Sequence, residues 1–261
     1  MLSEHKWEIG VSAGSYYPSL TQEFWGNDLG LSYEDDHMGM QFFAYSYHID
    51  ELDDPEDVAC RLFSLQILLN GALRLSWNDN SFIPVEFTYF FKCNGESRHN
   101  VHASNIERNP FSSDENIDLL EHPVFPAKGR LHSRILNICK KDEALRSLVF
   151  LVGLISTNNS LEKIMTWGTL YKIHDSVKFH SKSNGYDESK LGDSKRIDEF
   201  KAACNNSPLL GPFARHGDMG WTEPKSAITD IDEAIDLIIG YAHNFCMEHL
   251  KSKHSRKESS A

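Results

Sequence analysis

The spacing of apolar residues changes partway along the chain, and this change constrains the fold more than any other feature. Near the start, the run GMQFFAYSYHI alternates apolar and polar side chains, as a half-buried strand does. From about Ser133 onward, apolar residues recur at the spacing of amphipathic helices. The sequence therefore predicts an α+β protein, with a small N-terminal α+β domain followed by an all-α helical bundle domain.

The N-terminal domain is predicted to be built from two strands, a helix and a hairpin. The strands are KWEIGVSAG and GMQFFAYSYHI, and the helix starts at Asp54 and Pro55. We expect this helix to end near Asn70, with Gly71 as its C-terminal stop. The hairpin is expected to comprise ALRLSW, a turn at NDNS, and FIPVEFTYFF. The apolar face of the helix consists of Ala59, Leu62, Leu65 and Leu69.

Four or five helices are predicted in the C-terminal domain. A first stripe runs from Ile135 to Ile155, and Ser160 is placed to cap the next helix. Residues 181–193 have the composition of an exposed loop. The expected stripes of the later helices are Leu161, Ile164, Trp167, Tyr171 and His174; Ile197, Phe200 and Cys204; and Ile231, Ala234, Ile235, Ile238, Ala242, Phe245 and Cys246.

Composition places the domain boundary between these two parts. Residues 94–130 are polar and contain Pro110, Pro123 and Pro126, which is typical of a linker. We therefore predict an α+β domain over residues 1–105, a linker or covering loop over 106–130, a helical bundle over 131–254 and a disordered tail over 255–261.

Composition also indicates a cytoplasmic protein. The chain has 261 residues and is 40% apolar, so it can bury a sizeable core. No stretch reaches the ~18 consecutive apolar residues of a membrane helix, and the N-terminus lacks a signal-peptide pattern. We therefore expect no membrane partner. The five cysteines are odd in number and widely spread, which favours reduced thiols over disulfides.

Charge is distributed unevenly. Residues 1–130 contain 8 Lys and Arg against 21 Asp and Glu, a net −13, whereas residues 131–261 contain 18 against 17, a net +1. The N-terminal half is therefore a poor candidate for binding nucleic acid, because phosphates must be neutralised by clustered cations. The charge of the C-terminal half does not exclude RNA binding there. Its basic run KSKHSRK could contact a polyanion or simply be a solvated end.

No motif for a metal, cofactor or known catalytic mechanism is complete, so neither a metal nor a cofactor is predicted. The sequence lacks GxxxxGK[ST], GxGxxG after a strand and CxxC. The pattern GxSxG occurs once, as GVSAG at 10–14, and by itself is only one part of a serine-hydrolase triad. The pairs His174 with His180 and His243 with His249 are six residues apart, a spacing that does not align two ligands on a helix. Two sets of residues, the acidic clusters and the aromatic residues of the strands, can be interpreted either as a binding site or as ordinary structure. The acidic clusters at 34–36 and 50–57 could bind a divalent cation or be solvated charges, and the strand aromatics could line a pocket or form core.

The best candidate site is the run FARHGDMGWTEP at 213–224. Arg215 and His216 adjoin there, between glycines that permit tight turns and a close approach to a ligand. A guanidinium beside an imidazole suits binding of phosphate or carboxylate, and His216 could transfer a proton. Gly217 and Trp221 complete the predicted ligand-binding set. The structural alternative is that Arg215 bonds neighbouring carbonyls and that Trp221 anchors the loop to the core.

The helical half also shows a family resemblance, over about residues 130–250. The motif W-x-x-L-Y-K-I at 167–173, NSPLLGPFARHG at 206–217 and the long final helix resemble HEPN-type helical domains of uncharacterised bacterial proteins. The resemblance implies a role in defence or stress systems, as a sensing, binding or dimerising domain. HEPN ribonucleases use an Arg-x(4–6)-His motif, whereas here Arg215 adjoins His216, and three residues separate Arg98 from His102.

Three functional hypotheses follow. The first is a cytosolic binding, sensor or accessory subunit of a bacterial defence system that uses the Arg215 and His216 loop to recognise a protein partner or a second copy. The second is a metal-independent, HEPN-like ribonuclease with His216 as acid or base and Arg215 on the phosphate. The third is a purely structural assembly subunit, with the final helix as its interface. Because no catalytic motif is complete, the first is preferred.

Overall fold

The computed structural model divides the chain into two compact units, Met1–Asn70 with Phe82–Lys140, and Gly71–Ser81 with Lys141–Ala261. This division differs from the predicted one, because residues 71–81 belong to the second unit and residues 131–140 to the first. The structure describes residues 5–24, 29–37, 39–77, 83–95, 97–101, 105–113, 130–155, 160–217 and 222–258.

The first unit contains a five-stranded antiparallel sheet in the order β2-β3-β1-β4-β5. The predicted strand KWEIGVSAG is confirmed. The second predicted strand, GMQFFAYSYHI, is confirmed only as far as Tyr45, because its last residues, YHI, belong to a short helix that the Ser46 side chain caps. Two further strands, β2 and β5, lie in sequence that was expected to be loop. The elements of this unit are β1 (Trp7–Ser12), α1 (Tyr17–Leu20), β2 (Gly30–Asp36), β3 (Gly39–Tyr45), α2 (Tyr47–Asp50), the start of α3 (Pro55–Trp77), β4 (Glu86–Lys92), β5 (Arg98–Asn100) and α4 (Leu131–Cys139).

One face of the sheet forms the core of this unit. Ile9 pairs with Ala44 on one side and Phe90 on the other, and all three are fully buried. Because successive strand residues point to opposite faces, the neighbours of these residues lie on the other face. That face is only partly exposed: Tyr45 is buried on it, whereas Phe43, Tyr89 and Phe91 are half-buried. The predicted apolar face of the following helix is confirmed, since Ala59, Leu62, Leu65 and Leu69 are buried.

The prediction that this helix ends at Gly71 was wrong. Helix α3 continues to Trp77, so ALRLSW is helical and forms no hairpin with β4. The reason is close packing. A Cβ at position 71 would collide with the backbone carbonyl oxygen of Val149, so glycine is needed there for contact and not as a helix terminator.

Part of the predicted linker packs on α3. Arg61 donates to the Glu107 carboxylate over 2.9 Å and to the Glu51 carboxylate over 2.5 Å. Ser112 N–H donates to His48 Nδ1 over 3.0 Å. Residues 105–113 are therefore tied to the first unit as a covering segment. Residues 114–129, including Pro123 and Pro126, lie outside the described residues.

The second unit is helical. Besides the end of α3 it contains α5 (Glu143–Gly153), α6 (Ser160–Asn184), a 3₁₀ turn (Glu188–Lys190), α7 (Ser194–Cys204), α8 (Ser207–Leu210), a second 3₁₀ turn (Gly211–Phe213) and α9 (Ile231–Glu258). The combination of a sheet with a helical C-terminal part confirms the predicted α+β class. Helix α6 extends into the predicted loop at 181–193, and α9 continues to Glu258.

The predicted helical stripes account for most of this unit's core. Trp167, Tyr171 and His174 are buried on α6, but Leu161 and Ile164 at its start are exposed. Of the final stripe, every apolar side chain from Ala234 to Cys246 that was named is buried. The stripe is therefore core and is unavailable as the assembly interface of the third hypothesis.

Helix α3 is long and apolar enough by composition to cross a membrane. However, 78% of its most apolar 18-residue window is buried inside the protein. The apolar surface of α3 is therefore mostly covered by protein, as in a core helix.

Candidate functional site

The candidate loop begins where α7 ends. Asn206 follows α7, α8 and a 3₁₀ turn come next, and Gly211 has a positive φ of 54°. This left-handed backbone conformation favours glycine, because a Cβ would clash with the following carbonyl. The reversal at Gly211 directs the chain back so that the N–H of Arg215 donates to the carbonyl of Cys204 over 2.7 Å.

Arg215 is held at the surface on an aromatic support. Its Cζ lies 4.3 Å from the ring centroid of Tyr171, within the range of a cation–π contact. Tyr171 is itself buried and stacks on Phe200, which in turn stacks on Trp167. Because these rings belong to two packed helices, α6 and α7, the guanidinium rests on a rigid base. The side chain of Arg215 is exposed, so its N–H donors are accessible to a ligand.

The structure describes two of the three other residues in the predicted ligand-binding set. His216 is half-buried and engaged in an interaction of its own, and Gly217 is exposed. Trp221 lies outside the described residues. The structure therefore brings Arg215 together with Tyr171, a residue that sequence reasoning had assigned only to the helix core.

Two amide groups near the start of the loop add acceptors. Asn206 is buried and donates through Nδ2 to the carbonyl of Thr222, which ties the two ends of the loop together over 3.0 Å. Within the described part of the chain, the Oδ1 atoms of Asn205 and Asn206 are buried without a hydrogen-bond partner. Buried acceptors without a partner are unusual, and such oxygens accept from donors, so they do not themselves attract an oxyanion.

The exposed guanidinium of Arg215 has the chemistry to bind an oxyanion. A guanidinium offers planar, paired donors to a carboxylate or phosphate, and stacking on an aromatic ring fixes its plane in advance. Cys204 is unsuited to nucleophilic chemistry, because burial raises the pKa of its thiol to about 12, although the charge of Arg215 opposes this. The geometry thus supports recognition more directly than catalysis.

The other candidate groups lie on different elements of the fold. Among the described residues, no group of three or more His, Cys, Asp or Glu could hold a metal ion. The acidic residues Glu34 and Asp35 lie on β2, and His243 contacts the carbonyl of Leu75 over 2.7 Å. Arg98 lies on β5, and His102 is outside the described residues.

A second polar cluster was missed by sequence reasoning. The Nε2 of His249 lies 2.9 Å from Asp142 Oδ2, and its Nδ1 lies 3.0 Å from the hydroxyl of Tyr186, which is 2.7 Å from Ser252 Oγ. Because a carboxylate only accepts, Nε2 donates in the first of these bonds. Asp142 also caps α5 by accepting from the N–H of Leu145.

This network connects three elements of the second unit: the start of α5, the end of α9 and the segment after α6. Sequence patterns could not reveal the contact between Asp142 and His249, because 107 residues separate the two. Ring stacking of Phe245 on His249 closes the apolar side of the network. With His249 almost fully buried, the arrangement is first of all a stabilising contact.

Comparisons with known proteins give no relative for this chain. No family model, no curated protein and no solved structure matches it.

Proposed function

We propose that this is a cytoplasmic binding protein whose second unit recognises an oxyanionic group, a carboxylate or phosphate, on a protein partner through Arg215. The observation that carries this proposal is the exposed guanidinium stacked on the buried ring of Tyr171. In keeping with the resemblance to HEPN domains, the proposed setting is a sensor or accessory subunit of a bacterial defence or stress system.

Preorganisation supports this function. An exposed arginine normally loses side-chain entropy when it binds, which reduces affinity. Here the backbone N–H of Arg215 is bonded to Cys204 and its guanidinium rests on Tyr171, so much of that freedom is already lost. An incoming oxyanion would therefore meet donors in a nearly fixed geometry.

The first experiment measures binding of inorganic phosphate to the full chain. Thermal unfolding is followed across a phosphate series, with chloride at matched ionic strength as the reference. We expect phosphate to raise the unfolding temperature of the wild type. Arg215→Ala should weaken the phosphate affinity about tenfold, as loss of a charge-assisted hydrogen bond predicts. Arg215→Lys should also bind more weakly, because an ammonium lacks the planar fork.

The matched control is Lys195→Ala, which removes an exposed positive charge from α7 of the same unit. If Lys195→Ala weakens phosphate binding as much as Arg215→Ala does, the effect is general electrostatics and the proposal fails. Incubation with single-stranded RNA tests the ribonuclease hypothesis in the same samples. If the wild type cleaves the RNA and both Arg215→Ala and His216→Ala lose this activity, the function is catalysis and not binding.

A further inference from the structure

The solvated face of the sheet in the first unit has the composition of a binding surface. We call it the open face and define it by Glu8, Phe43, Tyr89, Phe91 and Arg98. The register places these residues side by side: Gly10 lies between Phe43 and Tyr89, and Phe91 lies between Glu8 and Arg98. All five therefore share one face, opposite the core residues Ile9 and Phe90.

Half-exposed aromatic rings distinguish this face. Phe43, Tyr89 and Phe91 are all only partly buried, whereas the aromatic residues Trp7 and Phe90 of the core face are fully buried. Tyr89 and Phe91 are nearly parallel, with an angle of 16° between their planes. Clustered aromatic surface that stays in contact with water is typical of interaction sites.

The open face already binds one cation from its own chain. The Cζ of Arg98 lies 3.4 Å from the ring centroid of Tyr89, in close stacking contact. The opposite side of that ring covers Gly10, where any Cβ would collide with it. Tyr89 is thus covered on both sides. Among the described residues, no guanidinium lies over the ring of Phe91 beside it.

A carboxylate lies next to the ring of Phe91. Glu8 is the cross-strand neighbour of Phe91, is half-buried, and accepts from the hydroxyl of Tyr45 over 3.2 Å. Burial, and to a lesser extent the charge of Glu34, raises the pKa of Glu8 above its ordinary value. A carboxylate in this setting is stabilised by a nearby cation, and its low-dielectric surroundings strengthen that attraction.

The charge of the surrounding sequence favours the same kind of partner. Residues 1–130 carry a net charge of −13. Such a field attracts basic segments and repels nucleic acid, which raises association rates for the former.

From these contacts we propose that the open face binds an arginine-rich basic segment of a protein partner. A guanidinium from that segment would pair with Glu8 and stack against Phe91, as Arg98 stacks against Tyr89. This site is independent of the one proposed around Arg215, because it is formed by a different unit and binds the opposite charge.

The experiment uses the full chain and a fluorescein-labelled peptide of alternating arginine and serine, with binding followed by anisotropy. Glu8→Gln keeps an acceptor for Tyr45 and is expected to weaken binding at least fivefold. The control Glu86→Gln makes the same charge change at an exposed position of β4 and should alter affinity less than twofold. Equal losses in the two variants would show only attraction to a negative protein and would overturn the proposal.

Two further variants test the stacking contact. Phe91→Leu keeps an apolar side chain but removes the ring, and we expect about threefold weaker binding. Phe179→Leu, at an exposed phenylalanine of the second unit, is the control and should bind as the wild type does. Tighter binding of single-stranded RNA than of the peptide would contradict the proposal. Arg215→Ala should leave peptide binding unchanged, so the two proposals can fail separately.

Discussion

The backbone of Gly71 on α3 lies directly against the carbonyl oxygen of Val149 on α5, leaving no space for a Cβ. Both residues belong to the second unit, and the contact occurs within an unbroken helix. Glycine lowers helix stability by about 1 kcal/mol relative to alanine. Close packing between α3 and α5 offsets this cost.

Gly71→Ala is therefore expected to destabilise the protein by about 3 kcal/mol, because the obstructing atom is backbone and cannot rotate away. Gly168→Ala on α6 is the control, since nothing lies within 4 Å of a Cβ there. That variant should be neutral or more stable by up to about 1 kcal/mol. Urea denaturation measures both. A Gly71→Ala variant as stable as Gly168→Ala would refute the packing argument.

His249→Ala should cost about 3 kcal/mol of unfolding free energy, because it leaves the Asp142 carboxylate and the Tyr186 hydroxyl without their ring partner. Tyr186→Phe removes the two hydrogen bonds of the hydroxyl, to His249 and to Ser252, and should cost about 2 kcal/mol. A double-mutant cycle of His249→Ala with Asp142→Asn would give a coupling energy above about 1 kcal/mol. Additive losses would show that the 2.9 Å contact contributes nothing.

Replacing Tyr171 tests the aromatic support of the candidate site. Tyr171→Phe keeps the ring under Arg215 and should leave phosphate affinity unchanged. Tyr171→Leu removes the ring and should lower the affinity several-fold, because the guanidinium loses its fixed plane. Calorimetric titration with phosphate compares the two variants, and circular dichroism checks that both are folded. Equal affinities would mean that stacking does not organise the site.

The lowered pKa of His174 predicts that the protein loses stability in acid. Burial lowers its pKa below the ordinary 6.5, with Lys201 and Lys178 adding to the shift and Asp175 opposing it. Since the unfolded chain binds a proton more readily, this contribution to stability is full above about pH 6.5 and declines as the pH falls towards the folded-state pKa. His174→Phe should therefore lose less stability than the wild type between about pH 7.5 and 5.5. An unchanged slope in urea denaturation would contradict this.

Thiol labelling separates the cysteines by burial. Cys139, Cys204 and Cys246 are buried, whereas Cys60 and Cys93 are half-buried. Burial raises the pKa of both Cys204 and Cys246 to about 12, so almost no thiolate forms near neutral pH. Burial also raises the pKa of Cys60 and Cys93, but these two are partly exposed. Iodoacetamide should therefore modify only these two, and slowly, in the native protein, and all five after unfolding. Mass spectrometry of the digested protein gives the sites, and native labelling of Cys246 would refute the assignment.

Local patterns predicted the elements well where one force dominates. The stripe of α9 is set by burial of one face and is present. Both predicted N-terminal strands occur as β1 and β3, although burial in β3 increases towards Tyr45 and does not alternate. The predicted end of α3 was wrong because a glycine such as Gly71 can indicate either the end of a helix or a close contact with another backbone. Only the position of Val149, which sequence cannot give, distinguishes them. Strand β2 was missed because its acidic residues resemble a loop until β3 pairs with them.

By itself, the sequence determined the α+β class, the core stripes and the choice of the loop containing Arg215, because these depend on periodicity and residue type within short windows. The tertiary structure alone decided what each polar group contacts. Tyr171 lies under Arg215 and His249 meets Asp142 because separate helices pack together, bringing side chains far apart in sequence within a few ångströms. Such long-range pairings depend on the packing of whole elements and leave no periodic trace in the chain.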